Sequence, residues 1–208
     1  WRGNVKNIEV VILANSVKHH QHCVAGKCIA NGQWVRPVSN SDGAELNHAQ
    51  ALCQNPYGKF NVKPLQKVFM TFSAHAPLAH QPENYVIDGS TWRQNFGISV
   101  GELNHYLDTP NDIWGGTDRV PHASIVSGHI AIGQSLYLIA VDGLHLYKNQ
   151  YDKRRASFSY HGTNYDLAVT DPNFDRIIQN NEAPRGVLCV SLGEEYQGNC
   201  FKLVATIF

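Results

Sequence analysis

The feature that most constrains this chain is the rhythm of its strand signals. Short β-branched and aromatic runs recur along it, closed again and again by glycine, asparagine or proline. Val5 to Ala14 is one such run. Lys27 to Ala30 and Gln33 to Arg36 flank Asn31-Gly32, the strongest short hairpin signal present. Leu65 to Phe72 and Leu136 to Val141 follow. Ser157 to Tyr160 and Tyr165 to Val169 straddle His161-Gly162. Val187 to Leu192 and Phe201 to Phe208 close the chain. Helical signals are few. Glu45 to Gln54 places Leu46, Ala49 and Cys53 on one side. Ser99 to Glu102 reads as a capping box opening a helix through Leu107. Asp171-Pro172 reads as an N-cap with proline at the first helical position, turning Phe174, Ile177 and Ile178 inward.

Many short strands with few helices predict small barrels or a sandwich. Each half has an early apolar strand, a glycine-marked hairpin and a short helix. Between the halves lie Asp108 to Asp112 and Trp114-Gly115-Gly116, a turn-rich stretch. The expected architecture is therefore all-β with a few short helices: two tandem five-stranded barrels, residues 1–110 and 111–208. The chain's 208 residues suit two such units of about a hundred residues each.

Composition narrows the function classes. Lysine plus arginine equals aspartate plus glutamate at 17 each, so bulk charge directs the chain to neither nucleic acid nor an anionic membrane. Any such partner must be met by a local patch. No run of about twenty apolar residues exists, so no membrane span is expected. The 5 cysteines are odd in number and scattered, which argues against a disulfide framework and for a reducing cytoplasm. Trp1 to Asn4 has neither a secretory-leader pattern nor an initiator methionine; a processed product or a piece of a longer protein is expected.

Ser16 to Cys28 crowds three histidines, two lysines and two cysteines together. With Asn31-Gly32 as a two-residue loop, Ala30 pairs with Gln33, Ile29 faces Trp34, Lys27 faces Arg36 and Ala25 faces Val38. These share one face. Val24, Gly26, Cys28, Val35 and Pro37 form the other, small and apolar enough for a barrel interior. The first face joins an indole, a guanidinium and an ammonium, which can stack a base and pair a phosphate. Lys18, His19, His20 and His22 then rim that face. A plain solvated loop with one or two structural histidines explains the same residues. So does a metal site of His19, His20 and His22 with Cys23, although Cys23 and Cys28 point to opposite faces of one strand and cannot easily share an ion.

The main basic cluster is Tyr147 to Arg155, with Lys153, Arg154 and Arg155 at its end and Phe158 and Tyr160 beyond. Cations interleaved with rings suit a single-strand binder. A solvated loop is the alternative. Tyr160 and Tyr165 are either a cross-strand pair or surface stackers. Arg119 either binds a ligand or pairs with Asp118. Trp92 and Trp114 read as partly buried rings, and Glu194-Glu195 as a solvated turn. No nucleophile elbow, zinc-protease helix or phosphate-cradling glycine loop is present. Catalysis has no positive support, and no cofactor is expected.

The stretch VILANSVKHHQHCVAGKCIANGQWVRPVSN resembles the opening of the dual OB-containing domain family. The matching residues are Ser16, Lys18, Cys23, Val24, Ala25, Gly26, Gly32, Trp34, Val35, Arg36, Pro37, Val38 and Ser39. FSYHGTNYDLAVTDP and CVSLGEEYQGNCFKLVATIF are similar to its middle and end. The resemblance spans nearly the whole chain and implies two OB folds in a bacterial or archaeal setting. The nucleic-acid binding it implies is inferred from the fold alone. The histidine-rich loop departs from the family's glycine-containing one, and no catalytic residues carry over. The expected function is non-catalytic binding of single-stranded DNA, RNA or nucleotides through Lys18, Lys27, Trp34 and Arg36 in the first barrel and Arg119, Lys153, Arg154, Arg155, Tyr160 and Tyr165 in the second. The alternatives are a protein-interaction module docking to a larger effector, and a metal-dependent hydrolase using the histidine loop.

Overall fold

Thr71 and Val141 are single residues at which two long apolar strands bend, and each bend lets one strand serve two ladders. A computed structural model of the chain describes residues 7–18 and 21–208. The chain forms two units, Trp1–Tyr106 and Leu107–Phe208, each with its own sheet. Asp108, expected in the link before residue 111, is tied into the second unit. Its N–H donates to the Leu138 carbonyl at 2.7 Å, and its carboxylate accepts the Leu138 N–H at 2.8 Å.

The first unit contains β1 (Ile8–Lys18), β2 (Gln21–Cys28), β3 (Trp34–Val38), β4 (Leu52–Asn55), β5 (Gly58–Asn61), β6 (Gln66–Met70), β7 (Phe72–His75), β8 (Asn84–Ile87) and β9 (Trp92–Gly97). β6 pairs antiparallel with β1, while β7, beyond Thr71, pairs antiparallel with β8. β8 runs parallel to β3, and β3 and β1 flank β2. The ladder therefore returns to its start, and five strands close around Val10, Ile12, Val24, Val35, Val68 and Phe72. β9, β4 and β5 extend it outward from β6. Gly26 is required here: a Cβ would lie 2.1 Å from the Val11 carbonyl oxygen.

The expected helix over Glu45–Gln54 is instead a turn followed by β4. Leu46 exchanges both backbone hydrogen bonds with His22, and Leu52 to Asn55 pair with β5 across the Pro56-Tyr57 turn. Sheet pairing outweighs local helical spacing here. The capping-box residues do interact. Glu102 Oε2 accepts the Ser99 N–H at 2.7 Å and its hydroxyl at 2.8 Å, opening a 3₁₀ helix over Val100–Tyr106 that buries Leu103.

The second unit contains β10 (Arg119–Pro121), α1 (His122–Val126), β11 (Leu136–Ala140), β12 (Asp142–Lys148), β13 (Arg154–Tyr160), β14 (Thr163–Val169), α2 (Phe174–Gln179), β15 (Val187–Tyr196) and β16 (Asn199–Ile207). β11 pairs with β15 and, past Val141, β12 pairs with β13. β13 pairs with β14, β14 runs parallel to β16, and β16 pairs with β15. This is a second closed cycle of five, with α2 between its third and fourth strands. His161 and Gly162 have φ of 47° and 78°, and Gln197 and Gly198 have 51° and 78°. Both turns match the two-residue hairpins that suit strand twist. α2 buries Phe174 and Ile177, but Ile178 is 40% exposed.

The Asn31-Gly32 turn differs from expectation. Lys27 pairs with Trp34 and Gly26 with Val35, and Cys28 N–H donates to the Gln33 carbonyl at 2.9 Å. The loop therefore has four residues. Asn31 Oδ1 takes the Gln33 N–H at 3.0 Å, and Gly32 alone of the pair has positive φ, 70°. The shift is two residues, so every side chain keeps its expected face.

Candidate functional site

Strand parity brings Lys27, Trp34 and Arg36 together on one face, as expected. That face is not open: Trp34 is 5%, Lys27 5% and Arg36 3% exposed. Lys27 Nζ sits 5.2 Å from the Trp34 ring centroid and donates to the Tyr106 carbonyl at 2.7 Å. Arg36 Nε faces Glu83 Oε1 at 3.4 Å, both side chains at most 5% exposed, and its Nη1 approaches Cys23 Sγ at 3.4 Å. The stacking role expected of Trp34, with Lys27 and Arg36 at phosphates, is corrected by this burial. Both faces of β2 and β3 are covered, and a ring at 5% exposure offers no base a surface.

The Lys18 side chain, His19 and His20 lie outside the described residues. His22 and Cys23 are sequence neighbours on β2 and point to opposite faces. His22 Nδ1 meets Asn15 Oδ1 at 3.0 Å. Burial, then the nearby His48, pulls its pKa down. Among the described residues, no three of His, Cys, Asp or Glu gather where they could hold a metal ion. The five cysteines are all thiols.

In the second barrel, Tyr160 and Tyr165 point inward, which corrects the surface-stacker reading. They alternate with Arg155 and Asp166 along β13 and β14 and join Ala156, Phe158 and Leu167 in the core. Their hydroxyls clamp the segment leading into the barrel. Tyr160 donates to the Pro110 carbonyl at 2.8 Å and Tyr165 to that of Gly115 at 3.2 Å. Burial raises both phenol pKa values. Lys202, 1% exposed, donates from Nζ to the carbonyls of Gly115 and Thr117, each at 2.6 Å.

The outer rows of β12, β13 and β14 carry a different set. Tyr147 lies opposite Arg155, which pairs with Ala168; His145 lies opposite Ser157, which pairs with Asp166. The His145 and Tyr147 rings stack, centroids 5.5 Å apart and planes 13° from parallel. Tyr147 donates its hydroxyl to Asp166 Oδ2, which raises its pKa. Arg155 grips Asp166 twice, Nε to Oδ1 at 2.9 Å and Nη2 to the carbonyl at 2.7 Å. At one edge, Tyr151 is 71% exposed and Lys153 is exposed in the β12–β13 loop, which Asn149 organises by accepting both their N–H groups at 3.0 Å.

The expected basic cluster is thus largely paired off. Arg154 bonds Asp175, Lys148 lies 3.3 Å from both Asp152 and Asp175, and Arg155 holds Asp166. Arg119, exposed, pairs with Asp118 at 2.8 Å and lies over the Phe201 ring at 4.6 Å. His145 was missed, and Tyr147 was read only as part of the charge cluster. Leu144-His145-Leu146-Tyr147 alternates apolar and polar, and both leucines pack against the core. That period of two is the signal that would have found the outward-facing pair.

A model of the family described as the dual OB-containing domain matches residues 8–207. No curated protein matches the chain. Among the described residues, no helix is long and apolar enough to cross a membrane.

Proposed function

The chain belongs to the dual OB-containing domain family, and on that premise we propose that it binds single-stranded nucleic acid without catalysis, through the outer face of β12–β13–β14. OB barrels take oligonucleotides on the face of their second and third strands and on the adjoining loops. In the second barrel those strands are β13 and β14, with Asn149 to Lys153 as the neighbouring loop. The observation that carries the reading is the stacked His145–Tyr147 pair on that face beside Arg155, with Tyr151 and Lys153 at its edge. Each ring has a π face for a base, and stacking is sequence-tolerant because every base has one too. Arg155 is shared with Asp166, so phosphate attraction is weak and stacking leads.

The test is fluorescence anisotropy of labelled single-stranded DNA and RNA with wild type and with His145→Ala/Tyr147→Ala. The double variant is expected to bind about tenfold more weakly or worse, since each stacked base is worth about 1–3 kcal/mol. Circular dichroism would confirm that it still folds. No binding by wild type at low salt overturns the reading.

A second reading, docking to a protein, is favoured by Tyr57 and Phe96. They are 89% and 83% exposed, in the β4–β5 turn and in β9. Phe96 is also held at φ 57°, a conformation costly for a bulky residue.

A further inference from the structure

The extension of the first barrel borders a cleft of about 200 Å3 whose polar lining is biased toward donors. Asn47 and Gln50 face one another across a single turn. The Asn47 N–H donates to Gln50 Oε1 at 2.8 Å, and the Gln50 N–H donates to Asn47 Oδ1 at 3.0 Å. A backbone N–H can only donate, so these bonds identify the oxygen of each amide. Both oxygens are engaged, and each side chain keeps an NH₂ group to offer. Lys59, exposed on β5, adds an ammonium, and Thr91 a hydroxyl. None of the lining residues is acidic. The nearest acid in sequence, Asp88, already accepts the Ser90 N–H at 2.9 Å and the Ser90 hydroxyl at 2.6 Å on one oxygen. Leu52, Ile87 and Trp92 supply an apolar side.

We infer that this cleft binds a phosphate monoester. A phosphate presents three oxygens to three separate donor groups, Lys59, Asn47 and Gln50, whereas a carboxylate presents two. The volume is below the roughly 300–1,000 Å3 of sites that engulf a drug-sized ligand. It therefore holds the phosphoryl group and a small apolar neighbour, not a whole cofactor. The phosphate belongs either to a free nucleotide-like molecule or to the end of a nucleic-acid strand. The site is in the first unit and shares no residue with the β12–β13–β14 face, so either reading can fail without the other.

The experiment is an amide NMR titration of the full chain with inorganic phosphate, adenosine 5′-monophosphate, and a short single-stranded DNA oligomer with either a 5′-phosphate or a 5′-hydroxyl. Phosphate and the monophosphate are expected to shift the amides of Asn47, Gln50, Lys59 and Thr91 saturably. Gln50→Glu keeps the acceptor for the Asn47 N–H but replaces the donor with a negative charge. It is expected to weaken binding by about tenfold or more, as is Lys59→Gln. Tighter binding of the monophosphate than of the oligomer assigns a free ligand. Shifts caused by the 5′-phosphorylated oligomer and not by its hydroxyl twin assign a strand end. No saturable shift at these amides with phosphate or monophosphate overturns the inference, and so do wild-type affinities in both variants.

Discussion

Lys202 shows how a single residue can hold a structure at a cost. Its ammonium is buried under the Tyr165 ring, 5.6 Å from the centroid, and satisfied by two carbonyls. Desolvation lowers its pKa from 10.5 to about 8 against the opposing pull of Asp112 and Asp118. Between those two pH values the unfolded chain holds more protons than the folded one, so this group makes stability rise with pH across that window. Below pH 8 both states are protonated and the cost is constant. Wild type should therefore gain about 3 kcal/mol relative to Lys202→Met between pH 7 and pH 11, read from urea unfolding of both proteins. A pH-independent difference would refute the placement. Trp34 makes the complementary point. In an open binding face, Trp34→Ala would spare stability and remove binding. At 5% exposure it should instead cost about 3–5 kcal/mol in urea unfolding.

At the scale of elements, local chemistry was legible wherever a turn or cap is self-contained. His161-Gly162 and Ser99 to Glu102 need only their own residues, and both took the expected form. Asp171 shows the limit. Its sequence places it at the N-cap with Pro172 first in the helix, but the N-cap is Asn173: Asp171 Oδ1 accepts the Asn173 N–H at 2.7 Å in a turn ahead of α2, and Oδ2 reaches across to the Ile207 N–H at 2.8 Å. The side chain thus pins α2 to β16 and is itself 1% exposed. Burial raises its pKa despite both bonds. Asp171→Ala should leave the buried Ile207 N–H without its partner, release the Asn173 N–H to water, and cost about 1–3 kcal/mol, measured by thermal or urea unfolding. A loss of only a few tenths would mean that the cross-link contributes nothing. The β4–β5–β9 extension was not legible, because its strands are short and gain their order from pairing with one another and with β6.

At the scale of the whole molecule, equal numbers of cations and anions, 17 each, set the electrostatic reach. On the second barrel's outer face Arg155 is already matched by Asp166. Binding of single strands should therefore show a shallow salt dependence, with log K falling at a slope of about −1 to −2 against log salt. A slope near −5 in the anisotropy titration would point to an extended basic surface elsewhere. The sequence by itself determined the all-β class, the two barrels, most of the long strands, and which side chains share a face. Those properties follow from a period of two and from turn chemistry, and both are local. Only the tertiary structure decided which face meets water. Lys27, Trp34 and Arg36 keep the parity their spacing dictates yet are buried, while the equally regular alternation of β12 leaves His145 exposed and Tyr147 half-buried. Alternation along a strand cannot tell a covered face from an exposed one, because covering is supplied by residues distant in sequence.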